Sequence, residues 1–77
     1  MSKNLIFCDF GIRIFERLGK YLLVYDAGEI ADDWRELEVS ELEANEAMVD
    51  SKGAHGVIIN HHNKGNLGRK IPLGEEI

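Results

Sequence analysis

Carboxylates are concentrated in one stretch of this chain, from Asp26 to Asp50. The stretch holds ten acidic side chains and one cation, Arg35, so its local net charge is −9 in a chain whose total is −5. Such a cluster could supply an acid and base pair, or it could attract a basic macromolecule. Asp32 and Asp33 are adjacent on a predicted exposed helix, without the low-dielectric pocket that separates an acid from a base. We therefore expect electrostatic binding and no enzymatic activity.

One cysteine and three histidines are the other side chains that could do chemistry. Cys8 follows an apolar run at residues 5–7, which predicts a small buried side chain and not a reactive thiol. His55 and His61 would lie at opposite ends of a predicted strand, about 20 Å apart and too far for one metal ion. His62 would point to the other side of that strand. We expect surface or loop histidines, no metal and no cofactor.

The segment Gly65-Asn66-Leu67-Gly68-Arg69-Lys70 combines a GxxG pattern with adjacent cations. It resembles the loop of KH domains, in which backbone amides approach the phosphates of a nucleic acid. In that family a helix follows the loop directly, whereas Pro72 follows here. We therefore predict that residues 61–70 form a basic loop.

Length and composition limit the class of protein. A chain of 77 residues is predicted to form one domain with a thin core, and 44% hydrophobic with 30% charged residues is typical of globular proteins. No apolar run approaches the roughly 18 residues of a membrane span, and the start is too short and too charged for a signal peptide. The single cysteine fits a reducing compartment. We expect a cytoplasmic protein, with residues 61–77 as a candidate flexible segment.

The first third of the chain is typical of β-strands. Asn4–Cys8 is a short apolar run, which predicts a strand. The next segment has two interpretations: a hairpin of Ile12–Glu16 and Tyr21–Tyr25 around a glycine-containing turn, or a helix over residues 10–19. The β-branched and aromatic residues favour the hairpin.

The period changes inside the acidic stretch. Ile30, Trp34 and Leu37 recur at i, i+4 and i+7, which predicts a short helix over about Glu29–Leu37 with its acids turned to solvent. This helix would be followed by Ser40-Glu41-Leu42-Glu43, an S-x-x-E capping box that marks the start of another helix.

The capping box predicts a second helix over Glu41–Lys52, ended by Gly53. Its inward side chains are predicted to be Leu42, Met48 and Val49. After it, the β-branched run Gly56–Asn60 predicts a strand, and residues 71–77 could form an edge strand or fray. Together these elements predict an α+β domain, with a small sheet of three to four strands packed against two short helices.

Residues 37–48, with a predicted helix before them, resemble the turn and second helix of bacterial helix-turn-helix DNA-binding domains. The family's turn is Leu-Gly-Val-Ser, and this chain has Leu-Glu-Val-Ser, with Glu38 in place of the glycine. The outward positions of the second helix would be Glu41, Glu43, Asn45 and Glu46. The resemblance implies a DNA-binding regulator, although these carboxylates would oppose binding to phosphates.

The segregation of charge favours a different function, a non-catalytic protein-interaction module that presents acidic helices to a basic partner. Inhibitors, immunity proteins and phage accessory proteins are the classes that we expect. Trp34 is the predicted anchor if it is exposed. The predicted partner-binding residues are Asp32, Asp33, Trp34, Glu36, Glu43 and Glu46. A structural homo-oligomer, such as a homodimer burying Trp34 and Leu37, is a third hypothesis.

Overall fold

The computed structural model describes residues 4–26 and 33–71. Their elements are β1 (Asn4–Asp9), β2 (Ile12–Arg17), β3 (Lys20–Asp26), β4 (Trp34–Val39), α1 (Glu41–Val49), α2 (Ser51–Asn63) and β5 (Arg69–Lys70). The strands form one antiparallel sheet in the order β1-β2-β3-β4-β5. Both helices come between β4 and β5 along the chain. The predicted α+β class is confirmed, and the sheet has five strands where three to four were predicted.

The predicted hairpin is confirmed as β2 and β3, joined by a two-residue turn. Arg17 pairs with Lys20, and the residues between them, Leu18 and Gly19, have φ angles of 53° and 78°. Two successive positive φ angles are typical of a type I′ turn, whose twist matches that of the strands it joins. The Gly19 N–H also donates to Glu16 Oε2 at 2.9 Å, which closes the turn.

The sheet buries alternate side chains against the helices. Ile14, Leu23 and Leu37 lie in this layer and are at most 1% exposed. Among residues 4–26 and 33–71, the buried side chains of this layer are Ile12, Ile14, Leu23, Tyr25, Leu37, Val39, Ala44, Ala47, Ala54 and Val57. The helices contribute mostly alanine, which lets them lie close to the sheet and to each other.

A smaller cluster lies on the other face of the sheet. Phe15, Val24 and Ile71 are buried there, with Leu22 and Trp34 packed at its margin. The Ile71 N–H donates to the Trp34 carbonyl at 2.9 Å, which holds the chain after β5 against β4. The sheet therefore has an apolar cluster on each side.

The predicted helix over Glu29–Leu37 is wrong for the part that the structure describes, because Trp34–Val39 is strand β4. Residues 29–32 of that prediction lie outside the described residues. Leu37 and Val39 enter the core while Glu38 between them is exposed, which is the two-residue period of a strand. The i, i+4, i+7 spacing of Ile30, Trp34 and Leu37 therefore did not indicate a helix, because Trp34 and Leu37 lie on opposite faces of the sheet.

The predicted strand over Gly56–Asn60 is also wrong, since this run lies inside α2. Asp50 begins the helix by accepting the Gly53 N–H on its Oδ1 at 2.6 Å. Ala54 and Val57 then enter the core at a helical spacing. Burial of this face outweighs the modest helix penalty of β-branched residues.

The second predicted helix was right in its start and wrong in its end. It was predicted over Glu41–Lys52, but α1 ends at Val49, and Gly53 lies within α2 and does not end a helix. Leu42 and Val49 were predicted to be buried and are 71% and 74% exposed, while Met48 is half-buried. Ala44 and Ala47 take the inward positions instead and are 0% exposed.

The C-terminal region contains more regular structure than the predicted loop. Residues 61–63 complete α2, and β5 (Arg69–Lys70) pairs with β4 at the edge of the sheet, so both ends of the predicted loop over residues 61–70 are regular structure. The alternatives predicted for residues 71–77, an edge strand or a frayed end, fall almost entirely outside the described residues. Ile71 is buried, and residues 72–77 lie outside the described residues. Cys8 is exposed on β1, which corrects the prediction of a buried thiol. Neither helix in the described part of the chain has the length and apolar character needed to cross a membrane.

Candidate protein-binding surface

The start of α1 is held by the predicted capping box. Ser40 Oγ accepts the Glu43 N–H at 3.1 Å, and Glu43 Oε1 accepts the Ser40 N–H at 3.0 Å. Both hydrogen bonds satisfy backbone donors that a helix N-terminus would otherwise leave without a partner. The box therefore fixes the residue at which α1 begins, and burial of Ala44 and Ala47 decides which of its side chains face solvent.

The two faces of α1 differ sharply in exposure. Ala44 and Ala47 are 0% exposed and pack against the core. The opposite side carries Leu42, Asn45, Glu46 and Val49 at i, i+3, i+4 and i+7, and all four are exposed. Two large aliphatic side chains therefore flank a carboxylate and an amide along one solvent-facing stripe, which we call the outer face of α1.

The outer face of α1 lies in a strongly acidic segment. Residues 41–50 contain four carboxylates and neither lysine nor arginine. Glu41 accepts a hydrogen bond from Tyr21 Oη at 3.3 Å, and its negative charge raises the pKa of that phenol. Glu46 is exposed between Leu42 and Val49 on the outer face. An approaching partner would therefore meet two exposed aliphatic side chains with a carboxylate between them.

Glu43 has a different role, because it joins α1 to α2. Its Oε2 lies 2.8 Å from His61 Nε2, and its side chain is 25% exposed. Partial burial acts to raise the pKa of Glu43, but the Ser40 N–H and the neighbouring His61 outweigh that effect and lower it. Asn66 Nδ2 lies 3.0 Å from His61 Nδ1, so the histidine is held on both ring nitrogens. The Glu43 side chain thus mainly holds α1 to α2 within the fold.

The predicted residues of β4 lie apart from α1. Trp34 is half-buried on the sheet face opposite the helices, with the Arg13 guanidinium 5.6 Å from its ring centroid. Glu36 shares that sheet face and lies 3.4 Å from Arg69 Nε. These two side chains therefore point away from the helix layer.

Asp33 lies at the start of β4 and is held by this chain's own arginine. Its Oδ2 accepts from Arg35 Nη2 at 3.2 Å, and its side chain is 28% exposed. Asp32 lies outside the described residues. The six predicted residues consequently do not form one acidic face: Glu43 and Glu46 share α1, and the other described members lie on or beside β4. The spacing was interpreted on a helix that is in fact a strand.

The sequence analysis missed the polar network at the end of α2. Tyr25 Oη lies 2.7 Å from His62 Nε2 and donates to the Leu67 carbonyl at 2.9 Å. Burial raises the pKa of Tyr25. His61 and His62 thus fasten α2 to α1 and to β3, respectively. A helix prediction for residues 51–63 would have placed both histidines toward the core, since positions 54, 57, 58, 61 and 62 share one helical face.

This network orders the fold more than it offers a reaction centre. Among residues 4–26 and 33–71, no three histidine, cysteine or acidic side chains converge as metal ligands. The outer face of α1 is the arrangement best suited to binding. The chain matches no protein-family model, no curated protein and no solved structure.

Proposed function

We propose that this protein is a non-catalytic interaction module that binds a basic protein partner through the outer face of α1. One observation carries the proposal: Leu42 and Val49 are 71% and 74% exposed on a helix within residues 41–50, which carry four carboxylates and neither lysine nor arginine. Burying one large aliphatic side chain stabilises a complex by about 1.5–3 kcal/mol. Two of them on one face of a helix therefore supply the apolar contacts of an interface.

Charge decides which partner fits this surface. The carboxylates at Glu41, Glu46 and Asp50 would attract a cationic protein surface over about a Debye length and speed encounter. Interfaces commonly combine apolar contacts with polar and charged ones, and the outer face of α1 has both, with Glu46 between Leu42 and Val49. A partner surface that places lysine or arginine between apolar side chains is the complementary one. An inhibitor, immunity or phage accessory role in the cytoplasm remains the class of function that we propose.

The anchor differs from the one that the sequence suggested. Trp34 was the predicted anchor, but it is half-buried on the sheet face opposite the helices. Leu42 and Val49 take that role in the present proposal. The interface therefore centres on α1 alone instead of on a pair of acidic helices.

The DNA-binding alternative has less support. Helix α1 follows strand β4, whereas the helix-turn-helix resemblance requires a preceding helix. The outward Glu46 would also lie close to phosphates if α1 entered a major groove, which is unfavourable. A mobility-shift assay with bulk DNA distinguishes the two hypotheses, because the interaction module should produce no shift.

Site-specific photo-crosslinking in cells tests the proposal directly. A photoreactive residue at Leu42 should capture a partner with a basic surface, identified by mass spectrometry. The same residue at Leu67, which is also exposed but lies beyond α2, is the matched control. A partner captured equally well from both positions would contradict the proposed surface.

Binding measurements with the purified partner then test the mechanism. We expect Leu42→Ala to weaken binding by about tenfold or more, since about 1.4 kcal/mol is a factor of ten. Glu46→Lys should weaken binding and reduce its salt dependence, whereas Asn60→Lys on the exposed side of α2 should do neither. Affinity that is unchanged between about 0.05 and about 0.5 M salt would remove the electrostatic mechanism.

A further inference from the structure

The two edges of the sheet are unequal. Strand β5 has two residues, whereas β1 has six, and within the described residues β1 pairs with β2 alone. Leu5 and Ile6 on β1 are 53% and 44% exposed. Proteins usually protect such edges with charge, with short strands or with bulges, because an exposed apolar edge can pair with another strand. Strand β1 has a bulge but is neither short nor charged between Asn4 and Asp9. The charge-free centre of β1 is therefore a candidate interface.

A bulge in β1 changes which side chains share a face. Leu5 pairs with Phe15 and Phe7 pairs with Ile14, so Ile6 is the extra residue. Before and after the bulge, Asn4, Phe7 and Asp9 lie opposite residues of β2 that face the helices. Leu5 and Cys8 lie opposite Phe15 and Arg13, on the other face.

This arrangement makes β1 complementary to itself. If two copies of β1 pair antiparallel with Leu5 opposite Cys8, both side chains lie on the same face of the joined sheet. Asn4 then lies opposite Asp9 on the helix side, and Ile6 and Phe7 meet at the centre. In a regular strand, residues three apart lie on opposite faces, so this register requires the bulge.

We propose that the chain forms a two-fold dimer through antiparallel pairing of β1 with β1 of a second copy. The pairing gives an apolar centre with polar ends, and it keeps the two Asp9 carboxylates at opposite ends of the strand pair. The self-complementary pattern is what selects a second copy over an unrelated peptide. The joined sheet is continuous across the two-fold axis.

The dimer is independent of the proposed binding surface. Helix α1 contacts β3 through the Tyr21–Glu41 hydrogen bond, whereas the dimer uses β1. Both outer faces of α1 therefore stay accessible, and a dimer would present two of them. Loss of dimerisation and loss of partner binding are separate outcomes in the experiments.

Disulfide trapping tests the register. Leu5→Cys should place a second thiol opposite Cys8 of the other copy, so mild oxidation should give a covalent dimer. The two positions cannot bond within one chain, because residues three apart along a strand are about 10 Å apart. Leu5→Cys combined with Cys8→Ser should lose the covalent dimer, and Leu67→Cys controls for random collision. Equal trapping in these controls would overturn the register.

Light scattering tests the dimer itself. The unmodified chain should have twice the monomer mass, and Ile6→Lys should raise the dimer dissociation constant by about tenfold or more, because a charge at the centre of an edge opposes pairing. Circular dichroism checks that the variant is folded. A purely monomeric chain at about 100 μM would overturn the proposal, because the dimer dissociation constant would then be well above about 100 μM. Full dimer in the Ile6→Lys variant would overturn it as well.

Discussion

Replacing Glu43 separates the contacts that hold α1 in place. Its carboxylate accepts the Ser40 N–H at 3.0 Å and lies 2.8 Å from His61 Nε2. Glu43→Gln keeps an acceptor for the capping box but removes the charge that faces His61. Glu43→Ala removes both contacts. The two variants therefore measure the cap and the charge separately.

The expected losses follow from the geometry. A helix cap contributes about 1 kcal/mol, and a partly exposed carboxylate–histidine contact, which is a charge pair only where His61 is protonated, contributes about 0.2–1 kcal/mol. We therefore expect Glu43→Ala to lower the free energy of unfolding by about 1–2 kcal/mol and Glu43→Gln by less than about 1 kcal/mol. About 1 kcal/mol corresponds to a change of about 4–8 °C in the melting temperature of a domain of this size.

Acid should reduce the charge contribution in a defined direction. The pKa of Glu43 in the folded chain lies below its ordinary value of 4.5, so the unfolded chain takes up a proton first as the pH falls. The stabilisation is complete above the ordinary value and is lost as the pH falls through the folded-state value. The difference between the unmodified chain and Glu43→Gln should therefore shrink below about pH 4.5.

Urea unfolding followed by circular dichroism measures these changes at about pH 7 and in acid. Glu46→Gln is the matched control, since Glu46 is exposed on the same helix and should change stability by less than about 0.5 kcal/mol. If Glu43→Ala matches the unmodified chain at neutral pH, the capping box and the His61 contact contribute nothing to stability. If the Glu43→Gln difference is constant into acid, the charge assignment is wrong.

Two further predictions concern backbone positions. Gly53→Ala should destabilise the fold by about 1–3 kcal/mol, because a Cβ there would clash with the Glu46 carbonyl of α1. Gly56→Ala in the same helix places its Cβ in open space and should stabilise the fold by up to about 1 kcal/mol. Equal effects of the two substitutions in thermal melts would contradict this packing. Leu18→Asn should stabilise the β2–β3 turn by about 0.3–1 kcal/mol, because Leu18 has a φ of 53° and asparagine tolerates this conformation better than leucine does. A lower melting temperature of this variant would contradict the assignment of backbone strain to Leu18.

Part of the candidate binding surface could be predicted from the local sequence. The capping box at Ser40 was predicted and is present, so the start of α1 and the exposure of Glu46 followed from it. The exposed Leu42 and Val49 were assigned to the core instead, since apolar side chains on a helix are usually its inward face. The contact between Glu43 and His61 could not be predicted, because eighteen residues separate them in the chain.

The sequence by itself determined the features whose physical cause lies within a few residues. These are the β2–β3 hairpin, with its positive φ angle at Gly19, and the capped start of α1. Only the tertiary structure decided that Trp34–Val39 is a strand and that Gly56–Asn60 is helical. Both segments have weak and conflicting local preferences, and such preferences amount to a few tenths of a kcal/mol per residue. Pairing with β3 and burial in the common core are worth more, and both depend on residues far away in the chain.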